Sequence, residues 1–302
     1  MGVSSRKISK WVKMIFGKSN YHVNQGVGKC YSKETIKGYY NDLTEKVTRF
    51  GNNDDSIPVT VLDNGEKMYF STTIFQYGLA SYDLYLMNKE TSFLKKMINC
   101  ADWAVDNIEQ NGGWVTLAFE NEKEPYSAMS QGEGISLLIR AHIETQTPKY
   151  LDCARKAMEL MLTDICDGGV ISYKDDEITL YEYTYRPLVL NGWIFALWGM
   201  YDYYKYFQDE KVQNIFERAL DSFKKNLPKF DAKYWSKYDI EKRIASPFYH
   251  KLHIAQLRVM HDLYEDEIYK EYADKWEKYQ KSFWKPKKAF VKKALQKIFE
   301  RG

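Results

Sequence analysis

Residues 127–164, SAMSQGEGISLLIRAHIETQTPKYLDCARKAMELMLTD, decide the fold. Apolar positions recur at helical spacing on both sides of a short polar break, so the stretch reads as a helical hairpin. Its first helix holds small and apolar residues, including Gly132 and Gly134, while the second, 149–164, is more polar. The same organisation recurs without recurrence of sequence. Long apolar-periodic segments begin near Ser71, Ser127, Leu188 and Phe248, at intervals of 56, 61 and 60 residues. Each is followed by a more polar helix, at 91–109, 149–164, 209–226 and 268–282. First helices carry Gly78 and Ala80, then Gly192, Ala196 and Gly199, then Ala255, whereas second helices carry charges such as Lys95, Lys96, Glu210 and Lys211. The first helix of each pair is therefore expected inside and the second outside. The fold class that follows is mainly α: an α/α toroid of helical hairpins, with small β-hairpins bordering the cleft.

Those β-hairpins are expected at Ile57–Phe70, turning at Asn64-Gly65, and at Gly169–Tyr183, turning near Asp175-Asp176. The second leads straight into an inner helix, so side chains on its exit strand hang over the cavity. The expected divisions are a basic amphipathic N-terminal segment and lead-in (1–56), the toroid (57–283) and a basic amphipathic C-terminal helix (284–302).

The chain has 302 residues and a net charge of +3, distributed unevenly. Residues 1–18 carry +5 and residues 284–302 carry +6, leaving −8 on the body between them. An acidic body with basic tails argues against a nucleic-acid partner. Ile8, Trp11, Val12 and Ile15 form one apolar stripe, and Phe290, Val291, Ala294, Leu295 and Ile298 another. These ends either dock on the body or contact an anionic membrane surface peripherally. A homodimer is compatible with the sequence. Cys30, Cys100, Cys153 and Cys166 lie far apart with no CxxC pair, so neither disulfides nor a zinc site is indicated. With no signal peptide and no apolar run of membrane-spanning length, the expected location is the cytoplasm, with the inner face of the membrane as an extension of that reading.

Forty-eight aromatic residues, 16% of the chain, fit a ligand with stacking faces such as a sugar. Polar aromatics and amides gather where the chain enters the inner helices: Tyr126 to Gly134, Tyr181 to Gly192, and Ser246 to His253, with Tyr238-Asp239 in a fourth stretch. His250 and His253 could face one way, but no third ligand accompanies them, so no metal is expected. No GxSxG, Walker or GxGxxG pattern occurs. Gln131-Gly132-Glu133-Gly134 reads as a close helix contact, and Asp175-Asp176 as turn residues.

The string Tyr126-Ser127-Ala128-Met129-Ser130-Gln131-Gly132 is followed by Glu182-Tyr183 and then Val189-Leu190-Asn191-Gly192. Tyr238-Asp239 and Tyr249-His250-x-x-His253-Ile254-x-Gln256-Leu257 come after these. In this order they resemble the C-terminal catalytic domain of the D-glucuronyl C5-epimerases across roughly residues 60–283. The resemblance implies an α/α toroid that inverts carbon 5 of glucuronic acid within an anionic polysaccharide, heparosan-like or capsular, without metal or other cofactor. It implies Glu182 and Tyr249 as the acid/base pair on opposite faces of the sugar, with Tyr183 and Tyr238 at the substrate carboxylate. Tyr126, Gln131, Tyr185, Arg186, Asn191, His250 and His253 are the expected substrate-binding residues. Two departures matter. The family's Tyr-Asp-Leu-Arg is Tyr238-Asp239-Ile240-Glu241 here, so the arginine facing the carboxylate must be replaced by Arg186, Lys242 or Arg243, or the substrate differs. The stretch between Glu182 and Asn191 is about two residues shorter than the family's, which makes Tyr185 a rival to Tyr183. The β-rich N-terminal domains of animal members are expected to lack a counterpart, since only about 60 residues precede the toroid.

The chemistry makes its own demands. Removing a proton next to a carboxylate creates a dianion, which preorganised donors must stabilise. A free carboxylic acid titrates near 4.3 and a phenol near 10, so Glu182 is expected to be ionised at neutral pH and to act as base, with Tyr249 donating. Lys251, His250 or His253 would support a Tyr249 phenolate in the reverse direction. The alternatives are a polysaccharide lyase, which loses the group on carbon 4 instead of regaining a proton, and a non-catalytic polysaccharide-binding toroid.

Overall fold

The computed structural model describes residues 23–49, 56–62 and 65–299. The N-terminal stripe through Ile8, Trp11, Val12 and Ile15 lies outside them. A short helix α1 (Glu45–Thr48) precedes a hairpin, β1 (Thr60–Val61) and β2 (Lys67–Met68), in which Thr60 pairs with Met68. Four helical hairpins follow: α2 (Ser71–Asn88) with α3 (Thr91–Asp106), α4 (Ala128–Thr145) with α5 (Pro148–Met161), α6 (Leu190–Phe207) with α7 (Glu210–Asn226), and α8 (Pro247–Tyr264) with α9 (Glu267–Lys281). A second β-hairpin, β3 (Ile171–Lys174) and β4 (Glu177–Leu180), sits between the second and third pairs, and α10 (Lys285–Phe299) closes the described chain. Asp175 and Asp176 form the β3–β4 turn with φ of 53° and 61°, the left-handed pair of a tight hairpin.

Inner helices α4 and α6 are buried on every side over most of their length. Every residue of α4 from Ala128 to Ala141 and of α6 from Leu190 to Tyr203 is buried. Outer α7 buries only a stripe through Val212, Phe216, Ala219 and Phe223. The inner helices pack in the order α2, α4, α6, α8. Between α4 and α6 the backbones nearly touch: a Cβ on Gly132 would lie 2.9 Å from the Ala196 Cα, and one on Gly199 would strike the Gly132 backbone. All four inner helices end on a residue in the left-handed region, Lys89, Gln146, Gln208 and Glu265, with φ between 53° and 60°. The outer helix begins two residues later each time, so the repeat lies in the turn geometry even though no glycine marks it.

The lead-in is woven into the ring. Tyr39 N donates to Asp83 Oδ1 of α2 (2.9 Å), Arg140 Nε of α4 donates to Gly38 O (2.7 Å), Tyr40 Oη donates to Asp202 Oδ1 of α6 (2.6 Å), and Tyr31 Oη donates to Asp262 Oδ2 of α8 (2.8 Å). It thus crosses the C-terminal halves of all four inner helices. A buried ion pair anchors it: Arg140 Nη1 lies 2.6 Å from Asp202 Oδ2, both side chains fully enclosed, with the guanidinium over the Tyr39 and Tyr40 rings. α10 docks through buried Ala289 and through Gln296, whose Oε1 accepts from Ile244 N (2.9 Å), while Trp284, Val291 and Leu295 are exposed. Among the described residues no helix is long and apolar enough to cross a membrane.

Candidate active site

With the C-terminal halves of the inner helices crossed by the lead-in, the opening lies at their N-terminal ends. A cavity of about 250 Å³ there is lined by Thr72 and Thr73 of α2, Ser127 and Met129 at the start of α4, Asn191 of α6, and Phe248, Tyr249 and Leu252 of α8. Glu182 and Tyr183 complete one wall. Glu182 is placed by the exit of β4: Tyr181 N donates to Val170 O and Tyr181 O accepts from Ala128 N, both at 2.9 Å, tying the strand to the start of α4. Its side chain then lies flat on α6 where that helix has no side chain. A Cβ on Gly192 would come within 2.6 Å of the Glu182 Cβ. Tyr249 is fixed by the start of α8, with Pro247 in the first turn and Ser246 Oγ accepting from Tyr249 N (3.4 Å). Tyr238 is brought over it by a strap pairing, Leu190 N to Tyr238 O (3.1 Å) and Ile240 N to Leu188 O (2.9 Å). The Tyr238 and Tyr249 rings meet edge to face at 4.8 Å.

Enclosure sets the proton affinities. Burial pushes Glu182 up to about 7, against the opposing pull of the Tyr183 hydroxyl, the Arg186 charge and the Tyr238 hydroxyl. The carboxyl group expected to be fully ionised at neutral pH is therefore poised near half-ionisation, and its Oε2 has no hydrogen-bond partner among the described residues. Tyr249 and Tyr238 are raised above the ordinary phenol range, by burial first and the Glu182 charge second. Tyr183 is raised chiefly by the Glu182 charge. A carboxylate near neutrality facing a neutral phenol can take a proton and give one.

The sequence profile of the D-glucuronyl C5-epimerase C-terminus matches residues 114–278, from the loop before α4 to α9. The chain belongs to this family. A D-glucuronyl C5-epimerase of Caenorhabditis elegans is 31% identical over 205 residues, covering 58% of this chain and 33% of that protein. An uncharacterized protein of Methanocaldococcus jannaschii is 29% identical over 155 residues, covering 49% of this chain and 50% of its own length. The chain thus spans between a third and a half of the curated relatives it matches. A solved unsaturated glucuronyl hydrolase specific for heparin superposes with a TM-score of 0.51 at 16% identity, over 72% of this chain and 63% of that one, a likeness of α/α-toroid fold.

Not all the motif residues shared with the epimerase family reach the cavity. Asn191 does, donating from Nδ2 to Met129 Sδ (4.0 Å) and leaving Oδ1 unpartnered among the described residues. Gln131 is buried and fully engaged as scaffold, accepting from Trp114 N (3.1 Å) and donating to Gly112 O (2.9 Å) and Ala157 O (3.1 Å). The Tyr126 hydroxyl is turned to Glu109 and Asn111. Tyr185 and Arg186 both bond to Glu120, at 3.1 and 2.6 Å, with the guanidinium over the Tyr183 and Tyr185 rings. Asp239 Oδ1 gathers the amides of Glu241, Lys242 and Arg243 (2.9–3.1 Å), building the turn that carries Tyr238; Glu241, at the place of the family's arginine, is exposed on it.

The histidines, expected to contact substrate and support a phenolate, are bonded to scaffold atoms, with His253 Nε2 left unpartnered among the described residues. His250 accepts at Nδ1 from Ser236 N (3.1 Å), and its Nε2 hydrogen points to Trp276 O (3.0 Å). The ring stacks on Trp235 at 3.6 Å. Ser236 Oγ bridges to Nδ1 of both histidines, at 2.8 and 3.0 Å. Burial pushes His250 down to about 3 and His253 well below its ordinary value, so both are neutral pins between the Tyr238 loop and α8. Lys251 is exposed. Conversely, Lys46 and Gln25 from the lead-in and Gln76 from α2 line the cavity although no sequence motif marked them.

Proposed function

We propose that the protein is a uronic acid C5-epimerase, converting D-glucuronic to L-iduronic residues within an anionic, heparosan-like or capsular polysaccharide. The observation that carries this reading is that Glu182 and Tyr249, contributed by different repeats, line one cavity. Family membership supports it. In the forward direction the ionised Glu182 takes the hydrogen from carbon 5. The C–H electron pair forms a carbon 5–carbon 6 double bond while the carboxylate C=O π pair moves onto oxygen, giving a dianion. Tyr249, neutral because burial disfavours its phenolate, donates its proton to carbon 5 from the other face. Exchange with solvent then resets both groups. Tyr183 and Tyr238 are donors toward the charge that builds on the carboxylate.

The test is incubation with heparosan in deuterated water, followed by NMR. Deuterium at carbon 5 with iduronate signals and an intact chain is the expected result. An unsaturated uronate absorbing in the ultraviolet, with chain scission, would assign β-elimination instead. Binding without exchange would leave a polysaccharide-binding toroid.

A further inference from the structure

A dianion next to Glu182 needs a cation, and the three that could replace the family's arginine are paired or exposed, although the Arg186 charge does act on Glu182. Arg186 pairs with Glu120 at 2.6 Å, Arg243 lies 3.6 Å from Asp239, and Lys242 is exposed; none lines the cavity. Lys46 does. Among the described residues it is the one cationic side chain on the cavity wall, and its ammonium has no hydrogen bond or ion pair with any of them. It is held there because α1 turns Val47 into the core, while Glu45 pairs away from the cavity with Arg49 at 3.1 Å.

Behind Lys46 stands Glu133 of α4, fully buried. Its Oε1 accepts from Gln76 Nε2 (2.7 Å), and its Oε2 is unpartnered among the described residues. Glu133 and Lys46 attract each other without reaching ion-pair distance. A partly buried ammonium with no bonded counter-ion among the described residues is costly, and the cost is relieved when an anionic ligand arrives.

We propose that Lys46 binds the carboxylate of the uronate and stabilises the dianion formed when carbon 5 loses its proton, taking the part of the arginine missing at Glu241. The inference rests on the epimerase reading. A group that neutralises charge created during the reaction lowers kcat when removed, and raises KM less. Burial holds Lys46 down at about 8 against the attraction of Glu133, and the other titratable groups on the cavity wall are Glu182, Tyr183 and Tyr249. An arginine in its place would stay charged at higher pH.

The experiment measures carbon 5 exchange on heparosan oligosaccharides for wild type, Lys46→Met and Lys46→Arg from pH 6 to 10, with a thermal melt of each. Lys46→Met should lose at least about 10²-fold, mainly in kcat, with a melting temperature equal to or above wild type, since it removes a partly buried charge with no bonded partner among the described residues. Lys46→Arg should recover part of the loss and carry the alkaline fall of activity to higher pH. Exchange by Lys46→Met within threefold of wild type overturns the assignment and leaves the epimerase reading standing. So does a loss in Lys46→Met matched by a collapse of its melting temperature while Lys46→Arg behaves no better. Wild type without exchange overturns the epimerase reading, and this assignment with it.

Discussion

Replacing Gly192 by alanine tests whether the geometry of Glu182 is set by a missing side chain. Alanine at an exposed helix position stabilises by about 1 kcal/mol relative to glycine. Here the new methyl would lie 2.6 Å from the Glu182 Cβ and 3.1 Å from its Cδ, well inside contact distance. Glu182 must move by roughly an ångström, because α6 is packed on every side and cannot give. Overpacking of that kind costs about 1–3 kcal/mol, so the net change in stability is about 0–2 kcal/mol and the protein stays folded. Catalysis is more sensitive, since a misplacement of about 1 Å costs on the order of 10²-fold. Gly192→Ala should therefore show a melting temperature within a few degrees of wild type and an exchange rate lower by about 10²-fold. The assay is deuterium uptake at carbon 5 beside a thermal melt. A variant that exchanges at the wild-type rate would refute the claim that contact with Gly192 positions the base.

The remaining predictions concern the same groups. Tyr249→Phe and Glu182→Gln should each lower exchange at least about 10²-fold, read by NMR, while circular dichroism shows the fold retained. With Glu182 raised to about 7, kcat/KM for exchange should climb as pH rises through that value and the base loses its proton; a flat profile from pH 5 to 8 would contradict it. The stability sign is opposite. Between about 4.5 and 7 the unfolded state ionises Glu182 while the folded state keeps the proton, so stability falls as pH rises. Glu182→Gln should accordingly be more stable than wild type at pH 8, by up to about 3 kcal/mol, in a denaturant titration. Arg140→Leu would leave Asp202 charged and unpaired in the core and should lower unfolding free energy by about 3–5 kcal/mol.

The ring of hairpins was legible because a toroid imposes different burial on its two layers. Inner helices such as α6 are rich in small and apolar residues on every face and outer ones such as α7 on a stripe, and both patterns are visible in composition. Expected starts near Ser127 and Leu188 fall one and two residues from the observed Ala128 and Leu190. The four left-handed turns were not legible, since Lys89, Gln146, Gln208 and Glu265 adopt that conformation without being glycine. Nor was the lead-in, whose hydrogen bonds reach four helices 44 to 231 residues away and leave no local periodicity. Motifs located Glu182 and Tyr249, but the upward shift of Glu182 depends on enclosure by packing that no single motif encodes. Spacing put His250 and His253 on one face of α8 and could not say that this face meets Ser236 and Trp276. Glu133 did carry a signal: a glutamate inside a buried inner helix needs a polar neighbour, and Gln76 of α2 supplies it.

A structure with a heparosan oligosaccharide bound tests the central claim most directly. Carbon 5 of one uronate should lie between the Glu182 carboxylate and the Tyr249 hydroxyl, on opposite faces of the ring and each about 3–3.5 Å away. Both groups on the same face, or a sugar seated outside the cavity they line, would contradict the account.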